Sequence, residues 1–162
     1  MTEVEPLLVV QRESYATATK GFRAAWPEAQ TLDAQGMAAL LDVHRYCVLA
    51  TARADGRAHA APVAFVVAQG AFWIATVEGL RLRNLRANPW ASLVVMEGDA
   101  DEGETGTPHR ALTAEGPVGL HDVEAAYEPI ERLWLERHHD PPTWATAFIE
   151  LRPQRIFSHA AG

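Results

Sequence analysis

The sequence predicts a mainly β, α+β fold: a barrel of about six mostly antiparallel strands, with helices plugging or flanking it. Three observations predict it. Apolar runs of strand length recur between Tyr46 and Phe157. Tight turns join several of them, the clearest being Ala54-Asp55-Gly56-Arg57, since Asp-Gly is the strongest short hairpin signal. Inside that span only a short stretch near 80–87 and a longer one from Asp122 to Arg137 have helical spacing. Hairpins make antiparallel neighbours, and such a meander buries its apolar face by curling on itself.

At 162 residues, with 48% apolar and 22% charged side chains, the chain suits one soluble globular domain. Its net charge of −7 argues against a nucleic-acid partner, for which a basic footprint is expected. Arginine outnumbers lysine 13 to 1, an imbalance that carries no chemistry by itself. The N-terminus does not read as a leader, and the longest apolar run, Ala60 to Ala68, is too short to span a bilayer. The expectation is a cytoplasmic protein with no membrane partner. A lone cysteine, Cys47 in Tyr46-Cys47-Val48-Leu49-Ala50, excludes an internal disulfide and any multi-cysteine metal site, and reads as an inert buried thiol.

Residues 1–30 read as an N-terminal extension and 31–162 as the domain proper. Leu7-Leu8-Val9-Val10 could be a short strand or a docking segment lying on its own domain or on a partner subunit. Asp33 is the candidate N-cap of a first helix, with Met37, Leu40, Leu41 and His44 along one face. Strands follow at 46–53 and 57–67, the second interrupted by Pro62, which marks an edge, a bulge or a bend. Gln69-Gly70 turns the chain into a third strand, 71–76. The short helix then carries Arg81, Arg83 and Arg86, with Leu82 and Leu85 as its apolar face, and stops at Asn88-Pro89. A fourth strand occupies 90–96.

Glu97 to Thr107 is acidic, glycine-rich and short of large apolar groups, and reads as a long mobile hairpin loop. Its carboxylates do not have EF-hand spacing. The fifth strand, 109–120, is expected to bend or bulge at Gly116-Pro117. Asp122 is the candidate cap of the long helix, with Val123, Ala126, Tyr127, Ile130 and Trp134 on one side and Pro129 marking a kink or restart. His138 and His139 at its end point to different sides and make a poor metal pair. A sixth strand, 146–157, closes the sheet.

The chemistry concentrates at Thr76 to Pro89. A helix N-terminus with unpaired N–H groups lies beside arginines at a strand end, which is a site for phosphate or another compact anion. The bland alternative is a solvated basic face on a crossover helix. Trp73 and Trp90 read as core residues, and His59 as a structural strand histidine that could also touch substrate or donate a proton.

Taken in order, Leu49-Ala50-Thr51, Asp55-Gly56-Arg57, Pro62-Val63, Trp73-Ile74-Ala75-Thr76, Arg81-Leu82-Arg83-Asn84-Leu85 with Asn88-Pro89, and Leu151 to Phe157 resemble the pyridoxamine 5′-phosphate oxidase-like split barrels and the wider flavin and deazaflavin oxidoreductases. The resemblance implies a split barrel and a homodimer with a cofactor in each interface cleft. The cofactor would be FMN, or alternatively the deazaflavin coenzyme F420, and haem in some relatives. By the same resemblance Arg81 and Arg83 belong to the phosphate-binding helix, with a basic residue at Arg81 holding the phosphate. The backbone at Pro62-Val63 would lie along the ring, and Thr51 and Thr76 would contribute from neighbouring strands. The implied activity is hydride transfer to or from a small-molecule substrate, with no catalytic side chain identified. The alternative is a non-catalytic haem or flavin carrier or sensor, with an axial nitrogen from His109, His121, His138 or His159. Vitamin B6 oxidation itself is not expected, because the places of a family arginine and lysine hold Ala61 and Val66.

Overall fold

Residues 3–98, 109–123 and 128–160 are described by the computed structural model of the protein. The elements are α1 (Glu5–Thr17), α2 (Lys20–Ala25), α3 (Ala34–Val43), β1 (Tyr46–Ala52), β2 (Ala58–Ala64), β3 (Val66–Ala68), β4 (Ala71–Thr76), α4 (Leu80–Ala87), β5 (Trp90–Met96), β6 (Arg110–Asp122), α5 (Glu128–His138), β7 (Ala147–Leu151) and β8 (Arg155–Ala160). All strand pairs are antiparallel, in the order β2-β1-β5-β6-β7-β4-β3, with β8 also on β6. This is the split barrel that the resemblance implies.

β6 holds the two halves together. Its first half lies between β5 and β8, and its second half pairs with β7. At the changeover the backbone of 152–154 crosses so closely that a Cβ on Gly116 would stand 2.2 Å from the Arg152 carbonyl oxygen. The Arg152 N–H donates to the Pro117 carbonyl and the Gln154 N–H to the Glu115 carbonyl. The strand therefore runs through Gly116-Pro117 without ending there, and glycine is required by the close approach.

The expected second strand is parted at Phe65 into β2 and β3, while Pro62 sits within edge strand β2, paired with Val48. The expected last strand is broken at Arg152-Pro153-Gln154 into β7 and β8, so eight short strands replace six. Asp122 is the last residue of β6, paired with Ala147, and not a helix cap. Pro129 falls in the first turn of α5, where a missing N–H costs nothing. Ile130 and Trp134 are buried as expected, whereas Ala126 and Tyr127 lie outside the described residues. Asp33 caps α3 by accepting from the Gly36 N–H at 2.8 Å. Glu97 is not part of a solvated loop. Buried, it accepts from the Arg110 backbone N–H at 2.8 Å and from its guanidinium Nε at 2.7 Å, so the hairpin base is clamped. The rest of the predicted loop, from 99 onward, lies outside the described residues.

The N-terminal segment is neither strand nor irregular. α1 docks on β8, and Leu7 and Leu8 join the barrel core. Its period is hard to read because the buried face mixes Leu7 and Leu8 with Gln11, Ser14 and Tyr15. These polar groups form a closed network. Gln11 Nε2 donates to the Leu32 carbonyl, and the Ser158 hydroxyl donates to Gln11 Oε1 while accepting from the Leu32 N–H. Ser14 Oγ accepts from the Ile156 N–H, and the Tyr15 hydroxyl donates to the Ser158 carbonyl.

The main core fills the barrel with Leu49, Phe65, Phe72, Ile74, Leu93 and Ile149, closed by Met37 and Leu40 from α3 and by Leu82 and Leu85 from α4. A smaller cluster lies beneath α5, where Ile130 and Trp134 cover Trp73, Ala75 and Phe148. Among the described residues no helix is long and apolar enough to cross a membrane.

Candidate anion site at the barrel mouth

β4 ends at Thr76, and α4 begins four residues later. Leu82 and Leu85, each 1% exposed, anchor α4 into the barrel mouth. That anchoring fixes which other side chains face inward. Residues three apart share a helix face, so Arg81 and Asn84 are turned together onto the strand ends. Arg81 Nη1 donates to the Thr76 hydroxyl at 2.8 Å. Asn84 Nδ2 donates to the Thr51 hydroxyl at 2.9 Å. Thr51, Thr76 and Asn84 are all buried.

Two sets of donors remain unspent there. Arg81 Nε is buried without a hydrogen-bond partner. The N-cap of α4 is Gly79, which has no side chain to accept from the N–H groups of the first turn. Burial pushes the Arg81 guanidinium below its ordinary pKa, yet a guanidinium keeps its charge at neutral pH. A half-buried cation with an unpaired Nε, beside a helix N-terminus that no side chain caps, has the charge and the dipole direction that suit a compact anion.

Of the six residues singled out in the sequence, the structure brings Thr51, Thr76 and Arg81 together through α4. Arg83 is exposed, two residues from Arg81 and therefore on another face of the helix. Pro62 and Val63 point to opposite sides of β2, the first exposed and the second in the core, so only their backbone can line a common surface. Arg86 is occupied: both of its terminal nitrogens bind the Glu78 carboxylate, at 2.7 and 2.8 Å, in solvent. Asn84 is the residue that sequence reading passed over. Its signal was the spacing of three from Arg81 on a helix whose Leu82 and Leu85 fix the buried side.

Elsewhere, burial pushes the Cys47 thiol up to about 12, which makes it the inert group expected. Trp73 is buried in the core, but Trp90 is exposed and lies on the outer sheet face. His121 is paired with Glu150 at 2.7 Å and lies 5.1 Å from the Trp73 ring, and a His138 ring nitrogen stands 3.1 Å from the Phe65 carbonyl oxygen. Among the described residues, no group of three or more His, Cys, Asp or Glu side chains could hold a metal ion.

A split barrel with an anion-ready helix at its mouth is the class that fold and site define. The family model described as pyridoxamine 5′-phosphate oxidase matches residues 34–160, and the chain belongs to that family. Comparison with curated protein sequences finds no match. The fold is shared with a conserved hypothetical protein from Mycobacterium tuberculosis, 20% identical over 83% of this chain and 89% of that one, with a TM-score of 0.70. It is shared also with the haem storage protein HutZ from Vibrio cholerae, 19% identical over 80% and 96%, at a TM-score of 0.69. An FAD-binding protein from Mesorhizobium loti is 21% identical over 82% and 96%, with a TM-score of 0.64.

Proposed function

We propose that the protein is a flavin-dependent oxidoreductase that binds FMN at the barrel mouth and acts on a small-molecule substrate. The observation that carries this reading is the pair of unspent donors, Arg81 Nε and the uncapped first turn of α4. They fit the phosphate of a phosphorylated cofactor, and a fold neighbour is described as FAD-binding. A bound flavin would supply the hydride acceptor or donor. The chain's own residues would do the rest. Arg81 and the α4 N–H groups neutralise and orient the phosphate. Thr76 and Thr51 hold Arg81 and Asn84 in place, and the backbone of edge strand β2 at Pro62-Val63 offers a surface for a ring to lie along. A deazaflavin with a phosphate would meet the same donors.

The cleft is completed, on this reading, by a second copy of the chain. The apolar N-terminal segment cannot argue for that, because α1 is covered by its own domain. The argument is instead the outer face of β1 and β5, where Tyr46 and Met96 are 65% and 60% exposed and Val48 and Trp90 also face solvent. Sedimentation equilibrium at micromolar concentration should give twice the chain mass; a monomer would remove the shared cleft.

A carrier or sensor of haem or flavin is the second reading, favoured by the likeness to a haem storage protein. The absorption spectrum of the purified protein, followed through reduction and substrate addition, separates the two. Flavin bands that bleach and return on turnover support the oxidoreductase. A Soret band, or a flavin that never turns over, supports the carrier.

A further inference from the structure

We propose that the inner wall of the β1–β2 hairpin supplies a second side of the phosphate site, with His59 as the contacting residue and Arg53 flanking it. The proposal rests on the reading of Arg81 as a phosphate anchor and adds a specificity-determining residue to it. His59 stands directly across from Thr51 in the β1–β2 ladder. Directly opposed residues of an antiparallel pair present their side chains on the same face. Thr51 in turn accepts from Asn84, one turn along α4 from Arg81. His59 is thereby placed beside the polar link that seats α4.

Buried, unpartnered side-chain nitrogens occur at both ends of this chain of neighbours, Arg81 Nε and His59 Nδ1, and at Arg53 Nε, two residues beyond Thr51. An unpaired buried polar atom costs free energy comparable to a lost hydrogen bond. Three in one neighbourhood are explained together if an acceptor with several oxygens completes them. A phosphate monoester is such an acceptor, and imidazole and guanidinium nitrogens both donate to it. Ala61, next after His59 on the same face of β2, is a small side chain. The consequence is selectivity: His59 should favour FMN over riboflavin, which shares the ring and lacks the phosphate.

The test is fluorescence titration of FMN and riboflavin with the parent, His59→Ala, His59→Gln and Arg53→Ala, each first shown by thermal melting to be folded. His59→Ala should weaken FMN about five- to tenfold and riboflavin less than about twofold. His59→Gln, which keeps a donor, should recover part of the FMN loss, and Arg53→Ala should weaken FMN about two- to threefold. If the parent prefers FMN to riboflavin and His59→Ala leaves that preference unchanged, the proposal is overturned while the Arg81 site stands. Equal weakening of both ligands by His59→Ala also overturns it, since the phosphate would not be what His59 reads. A parent that does not distinguish the two ligands sinks the phosphate reading itself, and this proposal with it.

Discussion

Two groups of buried polar side chains in this barrel are arranged in opposite ways. Between α1 and β8, Gln11, Ser14, Tyr15 and Ser158 satisfy one another and the backbone groups they face. At the barrel mouth, Arg81 makes one hydrogen bond to Thr76 and leaves Nε buried and unpaired, beside a helix start with no cap. A closed network holds two elements in register. An open one retains an unmet demand for an acceptor, which a ligand can meet. The first kind of site should answer to mutation in stability, and the second in binding.

Ser158→Ala is the strongest way to break that contrast. It leaves the Leu32 N–H and Gln11 Oε1 without their partner in a buried setting, and should cost about 2–4 kcal/mol in denaturant unfolding. Ligand affinity of the folded fraction should not change. A loss under about 0.5 kcal/mol would show that the α1 clamp is not closed as described.

Cys47 sharpens the contrast from inside the barrel. The thiol keeps its proton in the folded state up to about 12, against an ordinary value of 9.0, so between those limits the unfolded chain has lost a proton that the folded chain retains. Stability is therefore unaffected by this group below about pH 9, and falls as pH rises above it by about 1.4 kcal/mol per unit. Cys47→Ala should remove that part of the decline, seen as a shallower loss of melting temperature between pH 9 and 10.5. Parallel slopes for the two proteins would place the thiol in water.

The smallest effect belongs to Arg86→Ala. Its partner Glu78 is exposed beside it, and exposed ion pairs contribute little. FMN affinity should change by less than about twofold. A larger loss would mean that the basic face of α4 acts as a whole and that Arg81 is not singled out.

The barrel was legible because its signals are local. Asp55-Gly56 announces a hairpin, Asp33 caps α3, and the Leu82–Leu85 pair marks the seated side of α4. What escaped was set by partners distant in sequence. α1 hides its helix because Gln11 and Ser14 are buried only by virtue of Leu32, Ile156 and Ser158. Gly116 looked like a bulge because the Arg152 backbone that demands a glycine lies 36 positions further on. Asp122 looked like a cap because nothing local shows that β7 prolongs β6 to that residue. At the site, arginine, strand-end threonines and proline stop were all readable. Which arginine turns inward was given by the family resemblance and not by the helix residues alone, since that depends on the depth to which Leu82 and Leu85 seat the helix.

The most direct test is Arg81→Ala titrated with FMN and with riboflavin. A charge-assisted contact of this kind is worth roughly 1.5–3 kcal/mol, or about 10- to 100-fold in affinity. FMN binding should fall by that factor, while riboflavin should bind the variant and the parent alike. If Arg81→Ala binds FMN as tightly as the parent does, Arg81 is not the phosphate anchor, and the barrel mouth is not the cofactor site.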